Sequence, residues 1–420
     1  MPLKKHSRQY DLVVFGATGY TGSLIAEHIT TNFPTDLKWA IAGRSYNKLL
    51  NVVERCKTLN TVRQPPEIEI CSLNDEDVTA LAKKTFALIT TVGSYAKYGE
   101  FAFKACAESG THYFDCTGEA VWHASMIRKY EASAKATGAC MFPQAAIESA
   151  PSDLMTFSMA SLIRSELSAP VGDVVVDIHE VRGTLSGGTI HTALGLFDVF
   201  HWKEIVQSHK PYALSPVPNS KEAPKPSFLS RLTGLYTIPK LGLMSTSFTA
   251  GTNTAVVQRT WGLFKQVRSL QKQFYGPNFT YREFIRAKSR VSGMAMHYAL
   301  VVGSILFMLC PPIRKLVLKH VYQPGEGTSR ENQEKEYIEF RGVATPDIQP
   351  SIGKQAWCKA EFSGGMYYLT GVFVSQAACT ILQDDLDLPG GVYTPACLGQ
   401  GYIDRLNKAG FTIETKLIDA

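Results

Sequence analysis

The run Asp11-Leu-Val-Val-Phe-Gly-Ala-Thr-Gly-Tyr-Thr-Gly-Ser-Leu-Ile-Ala-Glu27 leaves a chain few ways to fold. Leu12 to Phe15 read as a buried parallel strand, which stops at Gly16. Glycines recur at 19 and 22, and a helical pattern with Leu24, Ile25 and Ile29 on its apolar side follows. Strand, tight turn and helix in this order are what holding a dinucleotide requires. Gly16 permits the turn, Gly19 lets the backbone approach the pyrophosphate, and Gly22 lets the helix pack closely on the strand. The helix N-terminus then turns N–H groups and the positive end of its dipole toward phosphate. The candidate cofactor residues are therefore Gly16, Ala17, Thr18, Gly19, Tyr20, Thr21 and Gly22.

The end of the second strand selects between cofactors. In Leu37-Lys-Trp-Ala-Ile-Ala-Gly-Arg44 no acid stands where one would hold the ribose hydroxyls of NAD. Arg44, followed by Ser45, is placed to meet a 2′-phosphate, which predicts NADP(H). Further strands are predicted at 67–71, 86–92, 111–115 and 139–142. The fourth strand ends in Thr91, Val92 and Gly93, which should border the ribose and nicotinamide. The fold class is α/β: a Rossmann-like, doubly wound parallel sheet over 1–150, then an α+β substrate domain over 151–420 opened by a helix at Pro151. Whether the C-terminal residues return to the first domain stays open.

Past residue 150 the pattern changes. A strand is predicted at 173–181, a link at 184–191 and a helix at 192–200. Five prolines between 208 and 227 mark an excursion. A long, mostly polar helix is predicted over Thr254 to Phe274, a strand over 356–362 and an apolar helix over Tyr367 to Leu382. Met294 to Cys310 lacks Asp, Glu, Lys and Arg, and basic residues flank it: Arg286, Lys288 and Arg290 before, Arg314, Lys315 and Lys319 after. Three readings stand: a buried core helix, a short membrane span, or insertion into one leaflet. Net charge is +6 over 420 residues with the basic residues scattered, which argues against nucleic acid as a partner. The nine cysteines are irregularly spaced without Cys-x-x-Cys, so no disulfide framework and no metal site are expected. With a polar N-terminus, an intracellular, cytoplasmic protein is expected, peripheral on a membrane or lipid droplet if the apolar segment meets lipid.

Gly16-Ala-Thr-Gly-Tyr-Thr-Gly22, Ala42-Gly-Arg-Ser45, Thr91-Val-Gly-Ser-Tyr95, Tyr113-Phe-Asp-Cys-Thr-Gly-Glu119 and Ser186-Gly-Gly-Thr189 resemble motifs of the saccharopine dehydrogenase-like oxidoreductases. Pro324-Gly-Glu-Gly327 and Gly390-Gly-Val-Tyr-Thr-Pro395 look like late motifs of its trans-acting enoyl reductase branch. The chain departs from its relatives at Ser94, where they tend to carry Pro, and at Ala146-Ile-Glu-Ser149, where they tend to carry Gly-Phe-Asp-Ser. The resemblance implies hydride transfer to an unsaturated lipid or polyketide-type substrate, presented on a carrier protein. It also implies relatives at lipid droplets and membranes. Such chemistry needs a donor for the enolate and a proton for the α-carbon. Tyr95, Tyr98 and Glu119, with Asp115 beside them, are the catalytic candidates; each has an ordinary alternative as a packing or capping residue. Tyr236-Thr-Ile-Pro-Lys240 spells Tyr-x-x-x-Lys, yet Pro239 disfavours the helix that motif needs. His179 and His191 lack metal-ligand spacing. Two other functions remain open: a C–N dehydrogenase of the saccharopine type, whose substrate calls for clustered Arg or Lys, and a non-catalytic NADP-binding sensor or scaffold. A homo-oligomer is compatible with all three.

Overall fold

The computed structural model describes all residues except 1, 184–194, 220, 222 and 321–328. Two seven-stranded sheets organise it. The first contains β1 (Tyr10–Phe15), β2 (Trp39–Gly43), β3 (Glu67–Ile70), β4 (Thr85–Thr90), β5 (His112–Asp115), β6 (Cys140–Phe142) and the short β13 (Gly391–Val392). Its order is β13-β6-β5-β4-β1-β2-β3, with every pairing parallel. A parallel sheet must be covered on both faces. In β1, Leu12 and Val14 enter one core while Val13 and Phe15 enter the other. Helices α1 (Tyr20–Asn32) and α2 (Tyr46–Leu59) cover the first face, and α3 (Asp75–Lys84), α4 (Tyr95–Ser109) and α5 (Ala120–Thr137) the second. The strand order reverses between β1 and β4. Ligands of such sheets lie in the crevice outside the strand ends at that point.

The second sheet has the order β14-β12-β11-β7-β10-β9-β8. Its strands are β7 (Val171–Arg182), β8 (Tyr236–Ile238), β9 (Gly242–Thr246), β10 (Thr280–Arg286), β11 (Tyr337–Pro346), β12 (Lys354–Ser363) and β14 (Thr412–Asp419). Only β7 and β10 pair in parallel. Helix α6 (Ala150–Leu167) leaves the first domain and packs on the inner face, where Met155, Met159 and Ile163 meet the core built from Val174, Val176, Phe340 and Cys358.

The chain's end does return to the first domain. β13 extends the first sheet past β6. The helix Met366–Gln383, with most of its residues buried, lies on α1 so closely that a Cβ on Gly371 would stand 3.3 Å from the Ile25 nitrogen. The point left open with the 1–150 and 151–420 partition is thus met by β13 and this helix. The change at Ala150 is real, but part of the last sixty residues completes the first domain.

Two further expectations change. The helix predicted over Thr254 to Phe274 is Ala250–Gln266, followed by a 3₁₀ turn at Arg268–Gln273, and it is largely buried despite its polar residues. Its polar residues are spent between domains. The Arg259 guanidinium donates to the carbonyls of Leu214 and Val392, both at 2.6 Å, and pairs with Glu131 at 2.9 Å. Met294 to Cys310 is not a core helix: of Arg290–Leu309 only Gly293 is buried. Tyr236 lies in β8 and Lys240 in a turn beyond it, so the apparent Tyr-x-x-x-Lys is on no helix. The link at 184–191, its Ser186–Thr189 motif and His191, the start of the predicted 192–200 helix and the Pro324–Gly327 motif lie outside the described residues.

Candidate active site

The glycine turn is built at the carboxyl end of β1. Gly16 takes φ +90°, a conformation L-residues rarely adopt, and a Cβ on it would stand 2.9 Å from the Thr91 hydroxyl. Thr91 in turn donates from its backbone nitrogen to the Phe15 carbonyl (2.9 Å) and from its hydroxyl to the Gly16 carbonyl (3.1 Å). The ends of β1 and β4 are thus one unit, and Gly16, Thr91, Val92 and Gly93 are brought together as the sequence suggested. Gly22, one turn into α1, is closer still: its Cβ would sit 2.3 Å from the Gly16 carbonyl oxygen. Gly19 is the N-cap of α1, in extended conformation, with no side-chain cap and no acid in the first turn. The turn Ala17-Thr-Gly-Tyr-Thr21 therefore meets the crevice with a positive helix end that no carboxylate of that turn neutralises.

Arg44 follows β2 and is exposed, and Ser45 is the N-cap of α2, which also has no acid in its first turn. This arrangement fits a 2′-phosphate. A charge-assisted contact of that kind contributes about 1.5–3 kcal/mol. Arg44→Ala is expected to weaken NADPH binding by roughly 10–100-fold while leaving NADH unchanged. Fluorescence titration of both nucleotides checks this; equal losses for the two would show that Arg44 does not read the phosphate.

The catalytic candidates divide. Tyr95 is 5% exposed, and its hydroxyl donates to the Thr90 carbonyl at 2.9 Å beside the Cys116 thiol at 3.2 Å. Burial and the nearby thiol and Asp115 raise its pKa well above the ordinary value. Tyr95 ties α4 to β4 and β5 and does not present its hydroxyl to the cleft. Glu119 is 1% exposed and accepts the Tyr95 backbone N–H at 3.1 Å, holding the start of α4. Burial pushes its carboxyl up to about 8 against the pull of the α4 amides. Asp115 is likewise committed, accepting from the Thr117 and Gln144 amides and the Tyr113 hydroxyl at 2.7–3.0 Å. Of the three named tyrosine and glutamate candidates, Tyr98 alone is open, at 45% exposed.

The sequence reading missed the opposite wall. Glu148, between β6 and α6, lays its half-buried carboxyl across Gly118 in the turn after β5; a Cβ on Gly118 would fall 1.9 Å from Oε2. The same turn is touched from the second domain, where the Thr252 hydroxyl donates to the Gly118 carbonyl at 3.3 Å. Behind Glu148 stands Glu283 of β10, which takes hydrogen bonds from Ser152, Ser247, Thr249, Asn253 and Tyr281 at 2.5–3.0 Å. The Asn253 Oδ1 is buried without a partner among the described residues. One signal was present: Glu148 sits in the Ala146–Ser149 departure at the predicted strand-end edge. Glu283 had none, because its site forms only when the two sheets meet.

These features define a class: a Rossmann-type domain whose turn and arginine suit a 2′-phosphorylated dinucleotide, with a second domain that touches the turn after β5. Residues 12–141 match the saccharopine dehydrogenase NADP binding domain, and the chain is an NADP-dependent oxidoreductase. Over its whole length it is similar to particular proteins. It is 29% identical over 426 residues, 97% of this chain and 98% of the relative, to a Mycobacterium tuberculosis protein provisionally named a trans-acting enoyl reductase. It is 28% identical, with the same coverage, to the trans-acting enoyl reductase of Mycobacterium leprae. Apo saccharopine dehydrogenase (L-Glu forming) from Saccharomyces cerevisiae shares the fold, with a TM-score of 0.56 at 9% identity over 97% of this chain and 100% of that one.

Proposed function

We propose that the chain is an NADPH-dependent enoyl reductase that acts in trans on an unsaturated thioester of lipid or polyketide type, carried by a partner protein and met at a lipid surface. Bound NADPH would supply the hydride. Gly16 to Gly22 would hold its pyrophosphate, Arg44 and Ser45 its 2′-phosphate, and Thr91 to Gly93 its ribose and nicotinamide. The observation that carries the reading beyond the relatives' names is the set of side chains at the cleft wall. Glu148 lies on Gly118, and Glu283 and Glu119 are near enough to interact with it, so acids stand where an amino-acid adduct with several carboxylates would need guanidinium groups. A neutral acyl chain makes no such demand. The test is NADPH consumption by purified protein with long-chain and polyketide-like enoyl thioesters, set beside amine and oxo-acid pairs. Consumption with the thioesters alone is expected. Consumption only with the amine pairs would establish the C–N class, and binding without turnover a sensor.

The apolar helix supports the lipid surface. Arg290–Leu309 has mean hydropathy 1.7 over its most apolar window, yet its surface is open. Its first turns are fixed to the second domain: the Ser245 hydroxyl donates to the Gly293 carbonyl at 2.7 Å, and Tyr298 donates to the Leu232 carbonyl at 2.9 Å. The residues beyond, 299–309, reach about 17 Å at 1.5 Å per residue, short of the ~30 Å hydrocarbon core. That length favours insertion into one leaflet over a span. Phe228, Leu229 and Leu232 extend the patch, and Lys315 and Lys319 follow it. The double substitution Val302→Glu/Leu306→Glu is expected to weaken binding to anionic vesicles at least ~10-fold, since each exposed apolar chain contributes about 1 kcal/mol on leaving water. NADPH binding should be unaffected. Flotation that is equal for parent and variant would remove the lipid surface from the proposal.

A further inference from the structure

We propose that Glu148 is the acid of the reduction, giving its carboxyl proton to the carbon beside the thioester carbonyl. The inference rests on the enoyl reductase reading and extends it to a residue of this chain. Position comes first. Glu148 lies over Gly118, in the turn that follows β5, and β5 pairs directly with β4, whose end carries Thr91 to Gly93. It stands on the side closed by the second domain, whose Thr252 reaches the same turn.

Availability comes second. The Tyr95 hydroxyl, Asp115 and Glu119 each hold backbone in place. Glu148 has no hydrogen-bond partner among the described residues, so its carboxyl is uncommitted, and the residue is only partly buried. Glu283 cannot neutralise it, because its oxygens already accept from five donors.

Protonation comes third. The titratable groups facing Glu148 are Glu283 from β10 and Glu119 and Cys116 from the end of β5, all acidic. Burial, then the Glu283 charge, pushes Glu148 up to about 7, within the range that suits an acid working near neutral pH. In the reaction, hydride adds at the β-carbon and the double-bond pair moves through the enolate to the α-carbon. That carbon takes the proton from Glu148. The residue is left as carboxylate and regains a proton from water, so the net change is addition of H⁻ and H⁺ across the double bond with NADPH becoming NADP⁺.

Glu148→Gln keeps the shape and removes the acid. It is expected to lower kcat by roughly 10²–10⁴-fold with NADPH affinity retained. The parent rate should fall above about pH 7, while the variant's residual rate should show no such limb. Glu283→Gln, which removes the repelling charge, should move the parent's alkaline limb to lower pH, a shift that a purely structural role for Glu148 would not give. Infrared difference spectra of parent against Glu148→Gln need no turnover: a protonated carboxyl signal at pH 6 that is lost by pH 8 is expected. A carboxylate already present at pH 6, or a Glu148→Gln enzyme with the parent's rate and alkaline limb, would overturn the proposal and leave the enoyl reductase reading intact. Failure of that reading would appear separately, as absent thioester turnover in the parent.

Discussion

Gly19→Asp is expected to abolish NADPH binding while leaving the protein as stable as the parent. Both halves follow from the same position. Gly19 is the N-cap of α1 at φ −79° and ψ 167°, a conformation open to any residue, and a Cβ on it meets nothing closer than the Gly16 carbonyl at 3.4 Å. Aspartate is among the preferred N-caps and suits the positive helix end, so the helix should lose nothing and gain up to a few tenths of a kcal/mol. The added carboxylate occupies the place of the pyrophosphate. A unit charge about 4 Å from one phosphate charge costs roughly 4 kcal/mol at an effective dielectric constant near 20, which is ~10³-fold in affinity. Fluorescence titration and thermal melting, run on one preparation, separate the two effects. A variant that still binds NADPH tightly would mean that the pyrophosphate lies elsewhere.

Gly22→Ala should do the reverse and damage the fold first. In an ordinary helix the change would gain close to 1 kcal/mol in propensity. Here the new Cβ would lie 2.3 Å from the Gly16 carbonyl oxygen and 2.9 Å from the Ala17 Cα, and neither is the movable end of a side chain. Relief requires α1 to slide away from β1, which also parts it from the helix Met366–Gln383 packed on Ile25. Overpacking of this kind costs roughly 1–3 kcal/mol and sometimes more. Denaturant unfolding should show a lower midpoint, and NADPH should bind more weakly because the displaced turn no longer aims its amides. Unchanged stability would show that α1 and β1 are less tightly joined than their geometry states.

What could be read in the sequence was local. Strand, turn and first helix lie within Asp11 to Glu27, and the missing acid and the arginine at the end of β2 lie within one strand, so residue order alone placed the cofactor motif. Tyr95 was read toward the cleft because it begins α4 at the strand edge; its ring instead turns inward, between Thr90 and Cys116. The burial of the helix Ala250–Gln266 was not legible, because polarity in sequence does not say whether a group meets water. Its Arg259, Asn253 and Thr252 meet the carbonyls and carboxylates of other elements instead. Met294 to Cys310 has the composition of a core helix or a lipid contact alike, and only its place outside the packed core separates the two. Glu148 and Glu283 come from opposite sides of the domain junction, and no spacing in the chain announces their meeting.

The claim beneath all of this is that the first domain holds a 2′-phosphorylated nicotinamide dinucleotide on the Gly16–Gly22 turn. Calorimetric titration of the purified chain with NADPH and with NADH tests it most directly. The structure predicts one site per chain, with NADPH bound at least ~10-fold more tightly than NADH through Arg44. Binding of neither nucleotide, or tighter binding of NADH, would contradict it.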